Sequence, residues 1–355
     1  MVNNKNFLSF WKNKRVLITG HTGFKGSWLS IYLKSLGAKV YGISLKPEDD
    51  PNLYKLASLN KKIISYYIDI RDYKRVSSKI SEINPQIVFH LAAQSLVSES
   101  YANSRKTHET NILGTVNILE SLKSYRKCKS VIIVTTDKVY KKSNKYMQED
   151  DKLGGHDPYS GSKAAVEIVT ESYDKSFFQH SNTSISTVRA GNVIGGGDWN
   201  RNRIIPDAIR AWSNEKTLII RNPNHVRPWQ HVLESLTGYI KLAYITYDRK
   251  SIKGSYNFGP NPDDEKKVID LVKFSSKIFG NAKFKLTKRK NEFVETEILR
   301  LNNVKAKKLL KHKPIWNTDK AINKTILWYK NYYLGGNAFE LCMADIKDYI
   351  SKYKI

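Results

Sequence analysis

An α/β fold built on a doubly wound parallel sheet, with a smaller C-terminal lobe, is what this sequence predicts, and three observations predict it. Short β-branched runs alternate with amphipathic stretches over the first two-thirds of the chain. A glycine-rich corner follows the first such run directly, and past Gly191 the alternation loosens into glycine and proline turns. Strands fall at 15–19, 39–44, 63–68, 86–91, 130–135 and 184–189. Between them, helical spacing predicts 27–35, 73–83, 107–125 and 158–178, the last opening with Pro158, where a missing N–H is tolerated. Beyond Gly195-Gly196-Gly197 and the proline-marked stretch 221–228, helices at 319–333 and 338–353 close the chain.

Composition narrows the function classes. A chain of 355 residues can bury the core of one large domain plus a second lobe. With 40% apolar and 26% charged residues it is globular, and apolar runs such as 131–134 are far too short to cross a bilayer, so no membrane span is expected. The first ten residues lack the order of a secretory signal, which makes the cytoplasm the expected compartment. Cys128 and Cys342 have no metal-ligand spacing and are expected as reduced thiols, with no metal site. The net charge of +27 suggests a nucleic-acid binder, but the lysines are scattered without a dense arm or stripe. A solvated basic surface is the better reading, and no nucleic-acid partner is expected.

Gly20, Gly23 and Gly26 stand between the first strand and the helix that follows, with Phe24 inside the turn. Glycines there allow a tight corner and let the backbone approach a pyrophosphate, while the helix N-terminus favours negative charge. This predicts a Rossmann-type dinucleotide site. The second strand ends in Ser44-Leu45-Lys46 rather than a carboxylate, so Ser44 is a candidate for the ribose, and NAD against NADP stays open on the residues alone. Asp69-Ile70, after the third strand, sits where an acid meets an adenine amino group.

Tyr159 and Lys163 lie four apart on one helical face. A nearby ammonium lowers the cost of a phenolate, which lets the tyrosine accept a hydroxyl proton. Just past the fifth strand comes Thr136-Asp137-Lys138. A simple reductase or epimerase needs only the threonine; the adjoining acid and amine suit a reaction that also protonates a leaving hydroxyl and removes a carbon-bound proton.

At these residues the chain resembles the extended short-chain dehydrogenase/reductases, and within them most closely the CDP-glucose 4,6-dehydratase family. The resemblance runs through GHTGFKGSWLS (20–30), VFHLAAQSLV (88–97), TNILGTVNILE (110–120), TTDKVY (135–140), GGHDPYSGSK (154–163), RAGNVIGGGDW (189–199), RPWQHVLE (227–234) and YNFGP (256–260). It implies an NAD-bound, redox-neutral dehydration of a nucleotide sugar, with internal hydride transfer from C4 to NAD to C6. By the same resemblance Tyr159 takes the C4 hydroxyl proton, Lys138 or a neighbour removes the C5 proton, and Asp137 protonates the departing C6 hydroxyl. Gly20, Gly23, Gly26, Asp69, Ile70, Leu91, Ala92, Ala93, Tyr159 and Lys163 would then serve the cofactor, and Gln94 and Ser95 would face the hexose. Asn192, Arg203, Arg227 and His231 would serve the nucleotide and its diphosphate, where arginine forks match phosphate oxygens. Val139, Lys141-Lys142, Asn202 and Asn291 depart from the family pattern without removing a catalytic group.

The resemblance also implies a division of the chain. Residues 1–190, with roughly 227–258 returning to them, would form the dinucleotide domain; 191–226 and 259–355 would form the sugar-binding lobe. Relatives of this kind pair through the equivalents of 107–125 and 158–178, so a homodimer with a four-helix interface is expected. A GDP-mannose 4,6-dehydratase or a C4 epimerase of the same fold is the nearest alternative, and a non-catalytic dinucleotide-sensing or RNA-binding scaffold the remote one.

Overall fold

The computed structural model describes residues 4–48, 50–123, 125, 127–287 and 297–353; Asn291 lies outside the described residues. Seven parallel strands make the central sheet. In chain order the first six are β1 (Arg15–Thr19), β2 (Lys39–Ser44), β3 (Ile64–Tyr67), β4 (Ile87–His90), β5 (Ser130–Val134) and β6 (Ser184–Ala190). Across the sheet they run β6-β5-β4-β1-β2-β3, with Ser255–Phe258 as a further strand beside β6.

Side chains alternate between two faces because strand residues point up and down in turn. Val16, Ile18, Phe89, Ile132 and Val134 enter one buried cluster, while Leu17, Val88, Val131 and Ile133 enter the other. The second is covered by helices Tyr73–Ile83, Gly114–Lys123 and Pro158–Tyr173. The first is covered by Phe24–Ser35 and Val232–Asp248, on which the C-terminal helix Ala338–Lys352 also packs through the former. β5 and β6 are buried along their whole length, as expected for strands covered on both sides.

Local signals set the helix starts. Asp157 accepts a 2.9 Å bond from Ser160 N ahead of Pro158, and Asp72 accepts from Arg75 N at 3.1 Å ahead of Tyr73. The expected helix 107–125 is instead a helix Ser104–His108, a π turn Glu109–Leu113 and the helix Gly114–Lys123. The expected 158–178 likewise ends in a π turn, Asp174–Phe178. Around the later segments, three small pairings appear: Val193–Ile194 with Gln230–His231, Val226–Arg227 with Lys266–Lys267, and Leu218–Ile220 with Phe284–Leu286. Among the described residues no helix is long and apolar enough to cross a membrane.

After β3 the chain recrosses the sheet to lay β4 on the other side of β1, so the strand order reverses between them. Such a switch point opens a crevice at the carboxyl ends of the strands. A cleft of about 1220 Å³ lies there, larger than the roughly 300–1,000 Å³ of a single small-molecule site.

Candidate active site

The corner after β1 is closed by backbone contacts that only glycine permits. Gly20 has φ +74°, and a Cβ on it would stand 2.7 Å from Ala92 N. A Cβ on Gly26 would lie 2.1 Å from Gly20 O. The helix Phe24–Ser35 that follows has no side-chain cap, and its first residues, Phe24, Lys25 and Gly26, line the cleft. Phe24, Ser44, Asp69, Ile70 and Leu91–Ala93 line the same wall. Ser44 Oγ is 2.8 Å from Thr22 Oγ1. Asp69 is engaged by Arg71 at 2.6 Å, and that bond holds its carboxyl below the usual range.

The fifth strand leads into the candidate catalytic residues. Thr136 Oγ1 caps the short turn Asp137–Val139, accepting from Lys138 N at 3.4 Å and donating to Asp137 Oδ1 at 3.0 Å. Asp137, which lines the cleft, is 3% exposed, and among the described residues its buried Oδ2 finds no hydrogen-bond partner. A buried carboxylate oxygen left open in this way fits a group that receives a ligand. Lys138 Nζ is 3.9 Å from Asp137 Oδ1. Tyr159, on the helix opposite, lines the same cleft beside Thr136, while burial pushes its phenol up to about 12 and Thr136 opposes that rise. Thr136, Asp137, Lys138, Tyr159 and Lys163 therefore meet in one cleft.

Several expected placements differ. Lys163 shares the cleft with Tyr159, but its Nζ donates to Val134 O at 2.9 Å, and Arg203 is a cation whose charge favours the Tyr159 phenolate. Burial lowers Lys163 to about 8, with Glu167 opposing. Gln94 is absent from the cleft wall, because its amide donates to Leu96 O at 3.0 Å and Thr107 Oγ1 at 2.9 Å, holding the loop that presents Ser95. His231 is fully buried between Trp28 and Trp316 and caps the helix Val232–Asp248 through Leu233 N. It packs against these two indoles and does not line this cleft. Asn192, Arg203 and Arg227 do line the cleft. Arg203 Nη1 bonds Asp198 at 2.9 Å, and Arg227 donates to Val226 O and Glu297 O at 3.0 and 2.9 Å.

Two residues outside the sequence reading also shape the site. Asn111, in the π turn, accepts from Gln94 N at 2.8 Å and donates to Gln94 O and Ser162 Oγ. It thereby ties the loop after β4 to the Tyr159 helix. Lys25 lines the cleft from within the glycine turn, where burial lowers it to about 8 and Arg203, Asp137 and Lys163 are its charged neighbours. A cation inside the turn itself was the signal for it.

Known proteins align with this arrangement along nearly its whole length. The model of the GDP-mannose 4,6 dehydratase family matches residues 17–325. The CDP-glucose 4,6-dehydratase of Salmonella typhimurium is 40% identical over 351 residues, covering 97% of this chain and 98% of the relative. Among solved structures, the UDP-glucose 4-epimerase of Thermotoga maritima with UDP-glucose superposes with TM-score 0.78 at 20% identity, over 90% of this chain and 99% of its own. The dTDP-glucose 4,6-dehydratase of Bacillus anthracis in complex with NAD gives TM-score 0.74 at 22% identity, over 89% and 96%. These structures share the fold, and the sequence match specifies more: the chain belongs to the GDP-mannose 4,6-dehydratase family of enzymes and is a homologue of CDP-glucose 4,6-dehydratase.

Proposed function

We propose that this protein converts CDP-glucose to CDP-4-keto-6-deoxyglucose and water, with NAD as resident cofactor. The observation that supports this best is the meeting of Asp137 and Lys138 with Thr136 and Tyr159 in a single cleft. An epimerase has no use for that additional acid and amine.

The residues present fit a dinucleotide. Gly20 and Gly26 form a cradle that a Cβ would fill, and the uncapped helix start faces it. Gly20, Gly23, Phe24 and Gly26 would hold the diphosphate, Ser44 the adenosine ribose, and Asp69 and Ile70 the adenine. Leu91, Ala92 and Ala93 would flank the dinucleotide, with Lys163 on the nicotinamide ribose. Bound NAD supplies reversible oxidation at C4 and reduction at C6, with no net consumption.

The protein's own groups handle the protons. Tyr159 Oη, steadied by Thr136, takes the C4 hydroxyl proton; because burial favours the neutral phenol, Arg203 and the other cations of the cleft must offset that cost. Lys138 Nζ takes the proton at C5, made acidic by the neighbouring ketone. Asp137 delivers a proton to the C6 oxygen, which leaves as water. Ser95 would touch the hexose, and Asn192, Arg203 and Arg227 the nucleotide and its diphosphate.

Residues 1–190 with about 227–258 would serve as the dinucleotide domain, and 191–226 with 259–355 as the lobe for the sugar nucleotide. A homodimer through the helices around 104–123 and 158–178 is supported by exposed Tyr101, Leu113, Ile168 and Phe177 on or beside them. Incubating the protein with CDP-, GDP-, dTDP- and UDP-hexoses and following loss of water by mass spectrometry tests the reading. Dehydration of CDP-glucose ahead of the others is expected. Turnover of GDP-mannose alone, or C4 inversion without water loss, would replace it.

A further inference from the structure

Beneath the site lies a buried ion pair that the proposed chemistry leaves unused. Glu167 and Arg189 are 4% and 2% exposed and meet twice at 2.9 Å, Nε to Oε1 and Nη2 to Oε2. Replacing such a pair with apolar side chains is often neutral for stability, so stability alone is a weak reason for its presence.

Glu167 Oε2 also accepts from Thr187 Oγ1 at 2.6 Å and Ser255 Oγ at 3.4 Å, and the pair's other bonds run to the segment that carries the site. Glu167 Oε1 accepts from Thr135 Oγ1, the residue just before Thr136. Arg189 Nη1 donates to Tyr140 Oη at 2.7 Å and to Glu149 O at 2.8 Å, and its guanidinium lies 4.9 Å from the Tyr140 ring centre. Tyr140 Oη in turn donates to Asn257 Oδ1 at 2.7 Å. Thr136, Asp137 and Lys138 are thus slung between two anchors, both attached to one ion pair. Glu167 also sits one helical turn beyond Lys163, whose Nζ reaches Val134 O next to the first anchor.

We infer that Glu167 and Arg189 are positioning residues of the dehydratase site, fixing Thr135–Tyr140 at both ends and placing a counter-charge beside Lys163. This rests on the function proposed above. The titratable groups whose charges couple to Lys163 are Glu167 on its own helix, Lys25 from the helix Phe24–Ser35 and His90 from β4, with Tyr159 one turn earlier on the same helix. His90 is buried and neutral, held down to about 3, so Glu167 is the group that favours the ammonium.

Two variants separate the two roles. Glu167→Gln keeps the shape and one acceptor for Thr135 Oγ1 and Arg189 Nε, but removes the charge and the acceptor for Arg189 Nη2, so melting is followed alongside to show that the variant is folded. Calorimetric titration with NAD across pH should then show the alkaline loss of affinity beginning about one pH unit lower than in the parent. Tyr140→Phe removes one anchor and should lower kcat about tenfold with KM and melting temperature near the parent values, leaving the NAD profile in place. A Glu167→Gln profile superimposed on the parent's overturns the counter-charge role, and a Tyr140→Phe enzyme with parental kcat overturns the suspension. If the parent dehydrates no nucleotide sugar, the functional reading fails on its own, while the NAD titration still decides the role of Glu167.

Discussion

The two ends of the cleft are made by opposite means. The glycine turn is one continuous stretch, 20–26, whose shape comes from backbone against backbone: Gly20 beside Ala92 N, and Gly26 beside Gly20 O. The far end is assembled from side chains contributed by 225–229 and 299–300, with Arg227 on Glu297 O and Arg300 on Glu265 at 2.8 Å. A site made of backbone tolerates almost no added volume, whereas one made of side chains tolerates volume but depends on geometry and charge. Substitutions should therefore fail differently at the two ends.

The junction between them should show the largest effect. Tyr159→Phe fills the same buried space, so melting should stay near parental, while turnover falls by about 10²–10⁴ as expected for loss of a general acid–base group. Parental turnover would mean that the chemistry lies elsewhere in the cleft. At the turn, Gly26→Ala must force Gly20 O away, costing about 1–3 kcal/mol in thermal or denaturant unfolding and weakening NAD by more than about tenfold. Unchanged NAD affinity would break the contrast at its better-defined end.

His21 extends the test to pH. Burial depresses it to about 4, below its unfolded value of 6.5, so the folded state binds fewer protons between those values. Its stabilising contribution is complete above pH 6.5 and lost as pH falls towards 4, at about 1.4 kcal/mol per unit. His21→Gln should flatten unfolding curves across that window; a parental slope would assign acid sensitivity to other groups. The smallest effect belongs to the far end. Arg227→Lys loses the planar fork and should raise KM for the nucleotide sugar about tenfold, with NAD affinity and melting unchanged. A loss of NAD affinity there would show that the two ends are not separable.

The order of strands and helices, the turn and the Tyr159–Lys163 face were legible because each depends on spacing within a few residues. The strand Ser255–Phe258 was not. It is four residues long and buries Asn257, which reads as a loop residue until Tyr140 Oη, Met147 O and Glu149 Oε1 are seen to satisfy it. The two- and three-residue pairings of the lobe are likewise too short for alternation to register.

Sequence alone determined which residue types were available to the site and which element would carry each of them. Tertiary structure decided which of those side chains reach the cleft: it spent Gln94 on a loop, buried His231 between two indoles, turned Lys163 towards Val134 O, and brought Lys25 in. The physical reason is range. Backbone periodicity and turn chemistry are settled between near neighbours. The partner of a polar side chain is settled by what folding brings beside it, and a buried donor or acceptor takes whatever partner it finds there.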